Sequence, residues 1–137
     1  MTDCIFCRII KGEIPSAKIY ESNDVISFLD IAPANKGHAL VMPKQHYESF
    51  ADVPKKITDE MIDVIKKIGA AQKKAIGSGG FNILLNDAKI AGQEIPHSHM
   101  HIIPRFANDG LKFIWPQKKY AEGELNQYLE KIKKEIK

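Results

Sequence analysis

Three histidines, His97, His99 and His101, alternate with Ser98 and Met100 inside the run Pro96-His97-Ser98-His99-Met100-His101-Ile102-Ile103. Alternate side chains of a β-strand share a face, so a strand over His97 to Arg105 sets the three imidazoles in one row. Buried imidazoles need partners for both ring nitrogens, so a row of three is a poor way to fill a core and points to a site. Two chemistries suit it. One is a three-histidine metal centre with an open coordination position. The other is nucleophilic and acid/base catalysis by the imidazoles themselves, which an ordinary pKa of about 6.5 leaves mostly neutral at pH 7. Same-face neighbours on a strand lie roughly 6.5–7 Å apart, and two imidazoles at that separation can grip one metal ion or one phosphate. The spacing leaves both open.

The two cysteines, Cys4 and Cys7, form a single C-x-x-C. In a reducing compartment this spacing serves metal binding or redox chemistry rather than a structural disulfide. A thioredoxin-like motif follows a strand of a βαβ unit, and only three residues precede Cys4, which makes redox the weaker use. Small core hydrophobes are the remaining use for such thiols.

The elements that must position these residues are readable from periodicity and punctuation. Cys4 to Lys11 reads as a short amphipathic helix ended by Gly12 and closed by Pro15. Lys18 to Glu21 and Val25 to Leu29 read as a hairpin around Ser22-Asn23-Asp24, and His38 to Met42 as a buried strand stopped by Pro43. The spacing of Met61, Ile62, Ile65, Ile68, Gly69 and Ile76 predicts a helix from about Thr58 to Ile76, with Thr58 as its cap, Asp59 and Glu60 in its first turn, and Gly77 as its stop. Gly77 to Gly80 follows a helix and lacks the phosphate-loop pattern, so it reads as a helix exit. Phe81 to Asn86 predicts another strand, Asp87 to Glu94 a loop, and Glu122 onward an amphipathic C-terminal helix with Leu125, Tyr128, Leu129, Ile132 and Ile136. Most strand pairs lack the crossover helix that parallel pairing needs. The expectation is therefore an α+β fold with a mainly antiparallel sheet and helices on one side.

A chain of 137 residues, 44% apolar and 27% charged, fits one domain over residues 1–137 that buries a real core without disulfides. The net charge of +3 gives little reason to expect a nucleic-acid partner, because Lys131, Lys133, Lys134 and Lys137 are interleaved with Glu130 and Glu135 as on a solvated helix face. Apolar stretches such as Ala39 to Pro43 are far too short to span a membrane. The opening Met-Thr-Asp-Cys lacks the basic and apolar parts of a signal peptide, so the expected location is cytoplasmic.

The triad run resembles the histidine triad family of nucleotide hydrolases and transferases, whose signature is His-x-His-x-His followed by two apolar residues. The resemblance extends over nearly the whole chain. Ile5-Phe6-x-x-Ile9-Ile10-x-Gly12-Glu13-Ile14-Pro15, Phe28-Leu29-Asp30-Ile31-x-Pro33, Gly37-His38-x-Leu40-Val41-x-Pro43-x-x-His46, and Asn86 through Gly92-Gln93 look like family blocks in family order. It implies an α+β fold of about five strands with a long helix packed on the sheet, a homodimer, and a nucleoside 5'-monophosphoryl substrate.

Carried over by position, the resemblance makes His99 the nucleophile on the α-phosphorus, forming a covalent nucleotidyl-imidazole that water hydrolyses. It makes His101 a donor to phosphate or leaving group, and has His38 and His97 complete the catalytic set. Asp30 matches the residue that binds the ribose hydroxyls, Asn86 and Gln93 positions that contact phosphate or orient the site, and Phe6, Ile9, Phe28, Ile31 and Leu40 the apolar pocket for the base. Zinc-holding relatives resemble this chain at Cys4, Cys7, His46 and His97, which implies a closed, structural Zn2+. Two positions depart from the pattern. Glu94 stands where relatives carry a hydroxyl that donates to the scissile bridge, which an ionised carboxylate cannot do. Ser98 replaces an apolar residue.

The expected function is hydrolysis at the α-phosphate of purine nucleoside phosphoramidates (adenylated amines) or dinucleoside polyphosphates. A non-catalytic, zinc-stabilised nucleotide-binding module is the alternative. A three-histidine metallohydrolase comes last, since the cysteines give His97 a better set of co-ligands. The galactose-1-phosphate transferase branch is set aside, because this chain is too short for its second repeat.

Overall fold

The computed structural model describes residues 3–136. Lys18–Glu21 (β1), Val25–Leu29 (β2), Ala39–Pro43 (β3), Gly80–Leu85 (β4) and Met100–Arg105 (β5) form one antiparallel sheet in the order β1-β2-β3-β5-β4. The β1–β2 turn is built by Ser22, whose Oγ accepts from the backbone N–H of Asp24 at 3.2 Å and of Val25 at 3.1 Å, the local side-chain mimicry that makes serine a turn residue.

Strands β2 and β3 are apolar on both faces, so both faces must be covered. Val25, Ala39, Val41, Met100 and Ile102 pack against Met61, Val64, Ile65 and Ile68 of the long helix α2, Lys55–Ile76. The alternate residues Ile26, Phe28, Leu40 and Met42 pack on Cys4, Phe6 and Cys7 around the short helix α1, Ile5–Ile10. The helices therefore lie on both sides of the sheet, a correction to the one-sided expectation.

Helix α2 begins one turn before Thr58. Pro54, with φ −58°, is preset for entry, and its carbonyl already accepts from Ile57 and Thr58. Thr58 Oγ1 instead donates to the Lys55 carbonyl at 2.9 Å, and Asp59 and Glu60 fall beyond the first turn. The C-terminal end is as expected: Gly77 takes φ +71° and its N–H returns to the Gln72 carbonyl. Gly69 is required by packing, since a Cβ there would lie 2.3 Å from the Phe81 ring.

Strand β5 starts at Met100 rather than at His97. Its partner β3 runs out at Pro43, which has no N–H to give the ladder, and the Pro43 carbonyl is taken by the His97 side chain at 2.8 Å. Residues 97–99 are instead an irregular lead-in pinned by Ser98 N–H to the Tyr47 carbonyl at 2.6 Å. The C-terminal helix forms at Glu124–Glu135 (α3), yet none of its residues is buried. Leu125, Tyr128, Leu129 and Ile132 remain about half exposed or more, so its apolar stripe is largely uncovered by the described residues, though Tyr128 meets the Tyr120 ring edge-on at 5.8 Å. No helix among them is long and apolar enough to cross a membrane.

Candidate active site and metal centre

The sheet face covered by α1 carries the histidines. His101 sits in β5 opposite Leu40 of β3, and its ring centroid is 4.9 Å from that of His99 and 5.1 Å from that of His38. His38 stands at the mouth of β3, and Phe6 of α1 meets the His99 ring edge-on at 5.0 Å. Only His101 of the three is in a regular strand. His97 precedes the strand; its ring meets Phe6 edge-on at 5.9 Å, as that of His99 does at 5.0 Å, and it reaches on to a second cluster.

Backbone partners fix which nitrogen of each ring carries its proton. His99 Nδ1 lies 2.7 Å from the His97 carbonyl. A carbonyl only accepts, so Nδ1 is the donor, and the lone pair of a neutral His99 is on Nε2. The Ala34 backbone N–H donates to His38 Nδ1 at 3.0 Å, which places the His38 proton on Nε2. That nitrogen is 2.9 Å from His101 Nδ1, so His38 donates, His101 accepts, and the His101 proton lies on Nε2. The result is one imidazole with a free lone pair beside one with a free N–H.

Burial keeps these rings neutral. His38 and His99 are held below the usual histidine range chiefly by desolvation. Desolvation, followed by the neighbouring His99 and His38, takes His101 down to about 4. The charges of Asp30 and Glu94 oppose the shift at His99 without reversing it.

His97 belongs to a second cluster. Its Nε2–H donates to the Pro43 carbonyl, leaving the Nδ1 lone pair 3.5 Å from Cys4 Sγ and 3.6 Å from Cys7 Sγ. His46 Nδ1 lies 3.4 Å from Cys7 Sγ. One ligand atom from each of Cys4, Cys7, His46 and His97 falls within 4.8 Å of the others. Two thiolates and two imidazoles are a closed tetrahedral donor set of the kind zinc occupies structurally. The residues fit such an ion: the His97 lone pair points at the two cysteine sulfurs and at no other protein donor, and the second nitrogen of His46 is buried without a partner. Burial and the adjacent Cys4 push the Cys7 thiol up, a cost that a bound cation would remove. Asp30, His38 and His101 come equally close together, but there the His38 proton already fills the gap between the two rings.

The remaining sequence-predicted residues divide. Phe6, Phe28 and Leu40 share one buried cluster with Ile9 packed at its margin. Ile31 lies outside it, 96% exposed, on the loop after β2. Asp30 Oδ1 accepts from the Ala32 N–H at 2.9 Å, and its other oxygen is 3.8 Å from His38 Nε2. Asn86 reaches only the Gly92 carbonyl, at 3.3 Å. Gln93 is buried and spans the loops: its Oε1 accepts from the Ala88 N–H at 2.8 Å and its Nε2 donates to the Glu48 carbonyl at 2.9 Å. Gln93 thus holds the loop after β4 in place and keeps a second Nε2–H beyond the one given to Glu48. It braces Ala88, whose φ of +76° and ψ of 153° put a non-glycine residue in a region that costs of order 1–3 kcal/mol. Glu94 is exposed beside it.

The groups that the sequence reading missed are all backbone: the Ala34 N–H and the His97 and Pro43 carbonyls. Residue type carries no signal for them. Only the preference of histidine for a partner at each nitrogen announces that such groups must exist.

Residues 11–108 match the HIT domain. Over 135 residues the chain is 39% identical to the adenosine 5'-monophosphoramidase hnt1 of Schizosaccharomyces pombe, with 98% of each chain covered. Its fold superposes on the crystal structure of a HIT family protein from Bacillus subtilis with a TM-score of 0.91 at 38% identity, covering 98% of both chains. A Zn-bound histidine triad family protein from Mycobacterium smegmatis gives a TM-score of 0.77 at 33% identity, covering 97% of both. With the triad, the sheet and the sequence in agreement along its length, the chain belongs to the HIT family.

Proposed function

We propose that this protein hydrolyses purine nucleoside phosphoramidates, such as adenylated amines, or dinucleoside polyphosphates at the α-phosphate, through a covalent nucleotidyl-His99 intermediate. The observation that carries the reading is the free Nε2 of His99 beside the Nε2–H of His101. His99 Nε2 attacks the α-phosphorus, and the bond from phosphorus to the leaving nitrogen or oxygen breaks. The His99 ring keeps its Nδ1 proton throughout, and the His97 carbonyl offsets the positive charge that develops there. His101 Nε2–H donates to a phosphoryl oxygen or to the departing group. Water then cleaves the phosphorus–nitrogen bond to His99, its hydroxyl passing to phosphorus and its proton to His101 Nε2 in place of the one given to the leaving group; the nucleoside monophosphate departs and the His99 lone pair is restored.

Asp30 would take the ribose hydroxyls through its second oxygen, and the cluster of Phe6, Phe28, Leu40 and Ile9 the purine. Asn86 would orient the phosphate from the neighbouring loop. A zinc ion on Cys4, Cys7, His46 and His97 would supply structure only, tying α1 and its N-terminal cap to the triad loop. The kinship with an adenosine 5'-monophosphoramidase supports the substrate class. We place the protein in the cytoplasm as a homodimer, the exposed apolar stripe of α3 supporting the pairing.

Glu94 favours one other reading, a nucleotide-binding module without turnover, because its carboxylate offers no proton to a leaving group. Steady-state turnover of adenosine 5'-phosphoramidate separates the two: a hydrolase consumes it and loses that activity with His99→Ala, whereas a binding module retains the nucleotide unchanged.

A further inference from the structure

The proton arrangement of His38 and His101 depends on one backbone N–H, that of Ala34, and this group lies on a loop with little packing of its own. Residues 31–34 and 36 are all exposed. At its start the loop is tied by Asp30 to Ala32, and at its end by the His38 N–H to the Asn35 carbonyl at 3.0 Å. Two side chains anchor it to the body of the protein: Gln72 of α2, whose Nε2 donates to the Gly37 carbonyl at 3.0 Å beside His38, and Asn35, nearer to Ala34. Asn35 Nδ2 donates to the Pro104 carbonyl of β5 at 2.8 Å and to Asp109 Oδ2 at 2.9 Å.

Asp109 is held in turn. Arg105 grips it with Nε at 2.7 Å and Nη2 at 3.0 Å, and the N–H groups of Phe106 and Leu111 donate to it at 3.1 and 3.0 Å. Arg105 also donates to Asn82 Oδ1 of β4 at 2.8 Å and to the Leu111 carbonyl at 2.9 Å. A two-pronged guanidinium–carboxylate pair with its remaining lone pairs and protons satisfied is geometrically stiff. The Asp109 side chain is only 7% exposed. None of Asn35, Asp109 and Arg105 touches the triad, and the reaction itself has no use for them.

We infer that Asn35, held by Asp109 and Arg105, is a positioning residue that keeps the Ala34 N–H on His38 Nδ1 and thereby keeps the His101 proton on Nε2. Without that N–H, both neutral tautomers of His38 are open. The Nδ1–H form would aim a lone pair at His101 Nδ1, and the His101 proton would have to move there to meet it. His101 would then have nothing to donate at Nε2. The inference rests on the reading of His101 as the proton donor, and its structural half stands without it.

The test is Asn35→Ala in the full, zinc-loaded chain, with two readouts: the 15N shifts of the His38 and His101 rings, and kcat and KM for adenosine 5'-phosphoramidate. The wild type should show both rings as Nε2–H. The variant should show mixed tautomers, with kcat lowered about tenfold or more, part of the 10²–10⁴ that a positioned general acid contributes, and KM within about twofold. Rings that stay Nε2–H in the variant would overturn the inference. Should Asn35→Ala fail to fold, Asp109→Asn, which keeps side-chain volume while removing the charge that holds Asn35 and Arg105, decides by the same readouts. If the wild type proves unable to turn the substrate over, a tautomer shift in the variant still supports the clamp and the hydrolase reading alone falls.

Discussion

His38 Nε2 and His101 Nδ1 are 2.9 Å apart, and one proton is shared across that gap. The Ala34 N–H on the far side of His38 decides that the proton is His38's, so a buried ring and a half-buried one are poised without a charge on either. A donor chain that runs from backbone to ring to ring has a direction, and here it ends at the one nitrogen of His101 that faces away from the protein's own groups.

That neutrality makes stability fall on mild acidification. The folded pKa of His101 is about 4, that of His38 is lowered too, and both rings are near 6.5 when unfolded. Between these values the unfolded chain binds more protons, so stability rises with pH across the window and is lost as pH falls through it. The carboxylates that are held low, Glu21 by Lys18 and Lys44 and Asp109 by Arg105, act chiefly below about 4.5, at the foot of the histidine window and under the range of the test. Urea midpoints of the zinc-loaded protein should climb from about pH 5 to about pH 6.5, and His101→Asn should flatten the climb; a slope unchanged in the variant would exclude His101 as a source.

Metal should act on the fold and not on the chemistry. Chelation that strips zinc from the Cys4, Cys7, His46 and His97 set should lower the melting temperature by several degrees or more, since a structural ion contributes folding free energy directly. Cys7→Ser should do the same and leave no bound zinc by atomic absorption. Loss of turnover with an unchanged melting curve would move the ion into the reaction.

Gly69 should resist enlargement. Alanine improves helix propensity by about 1 kcal/mol, but its Cβ would sit 2.3 Å from the Phe81 ring, and overpacking of this kind costs about 1–3 kcal/mol. The larger effect wins, so Gly69→Ala should unfold at lower urea than wild type, and Gly69→Ala with Phe81→Leu should recover part of the loss. A more stable single variant would show that Phe81 moves aside freely.

Pairing should be visible in solution. The exposed stripe of Leu125, Tyr128, Leu129 and Ile132 argues that α3 is covered in the assembled protein. Sedimentation at micromolar concentration should give about twice the chain mass of 15.4 kDa, and Leu129→Glu should weaken the dimer. A wild-type monomer would remove the pairing, and a dimer indifferent to Leu129→Glu would move its interface elsewhere.

Much of this was legible in the residues. The alternation of His97, His99 and His101 and the spacing of Cys4 and Cys7 are set by side chains whose chemistry is scarce, so the pattern survives without a structure. The hairpin at Ser22, the stop at Gly77 and the apolar stripe of α2 were legible for the same local reason. What failed was decided at a distance. Thr58 looked like a cap because nothing local ranks it below Pro54, and His97 looked like a strand residue because only tertiary contact reveals that its Nε2–H takes the carbonyl of Pro43. Gln93 reads as a residue that contacts phosphate or orients the site, and the two backbone partners by which it braces the loop, Ala88 and Glu48, are invisible to any reading by residue type.

The most direct test of the account is intact-protein mass spectrometry of a reaction quenched during turnover of adenosine 5'-phosphoramidate. An acid-labile adduct of one adenylyl group, mapped to His99 and absent from His99→Ala, is the expected result. Substrate consumed at early times with no adduct on any histidine would contradict covalent catalysis by the free Nε2 of His99 and turn attention to direct attack by water.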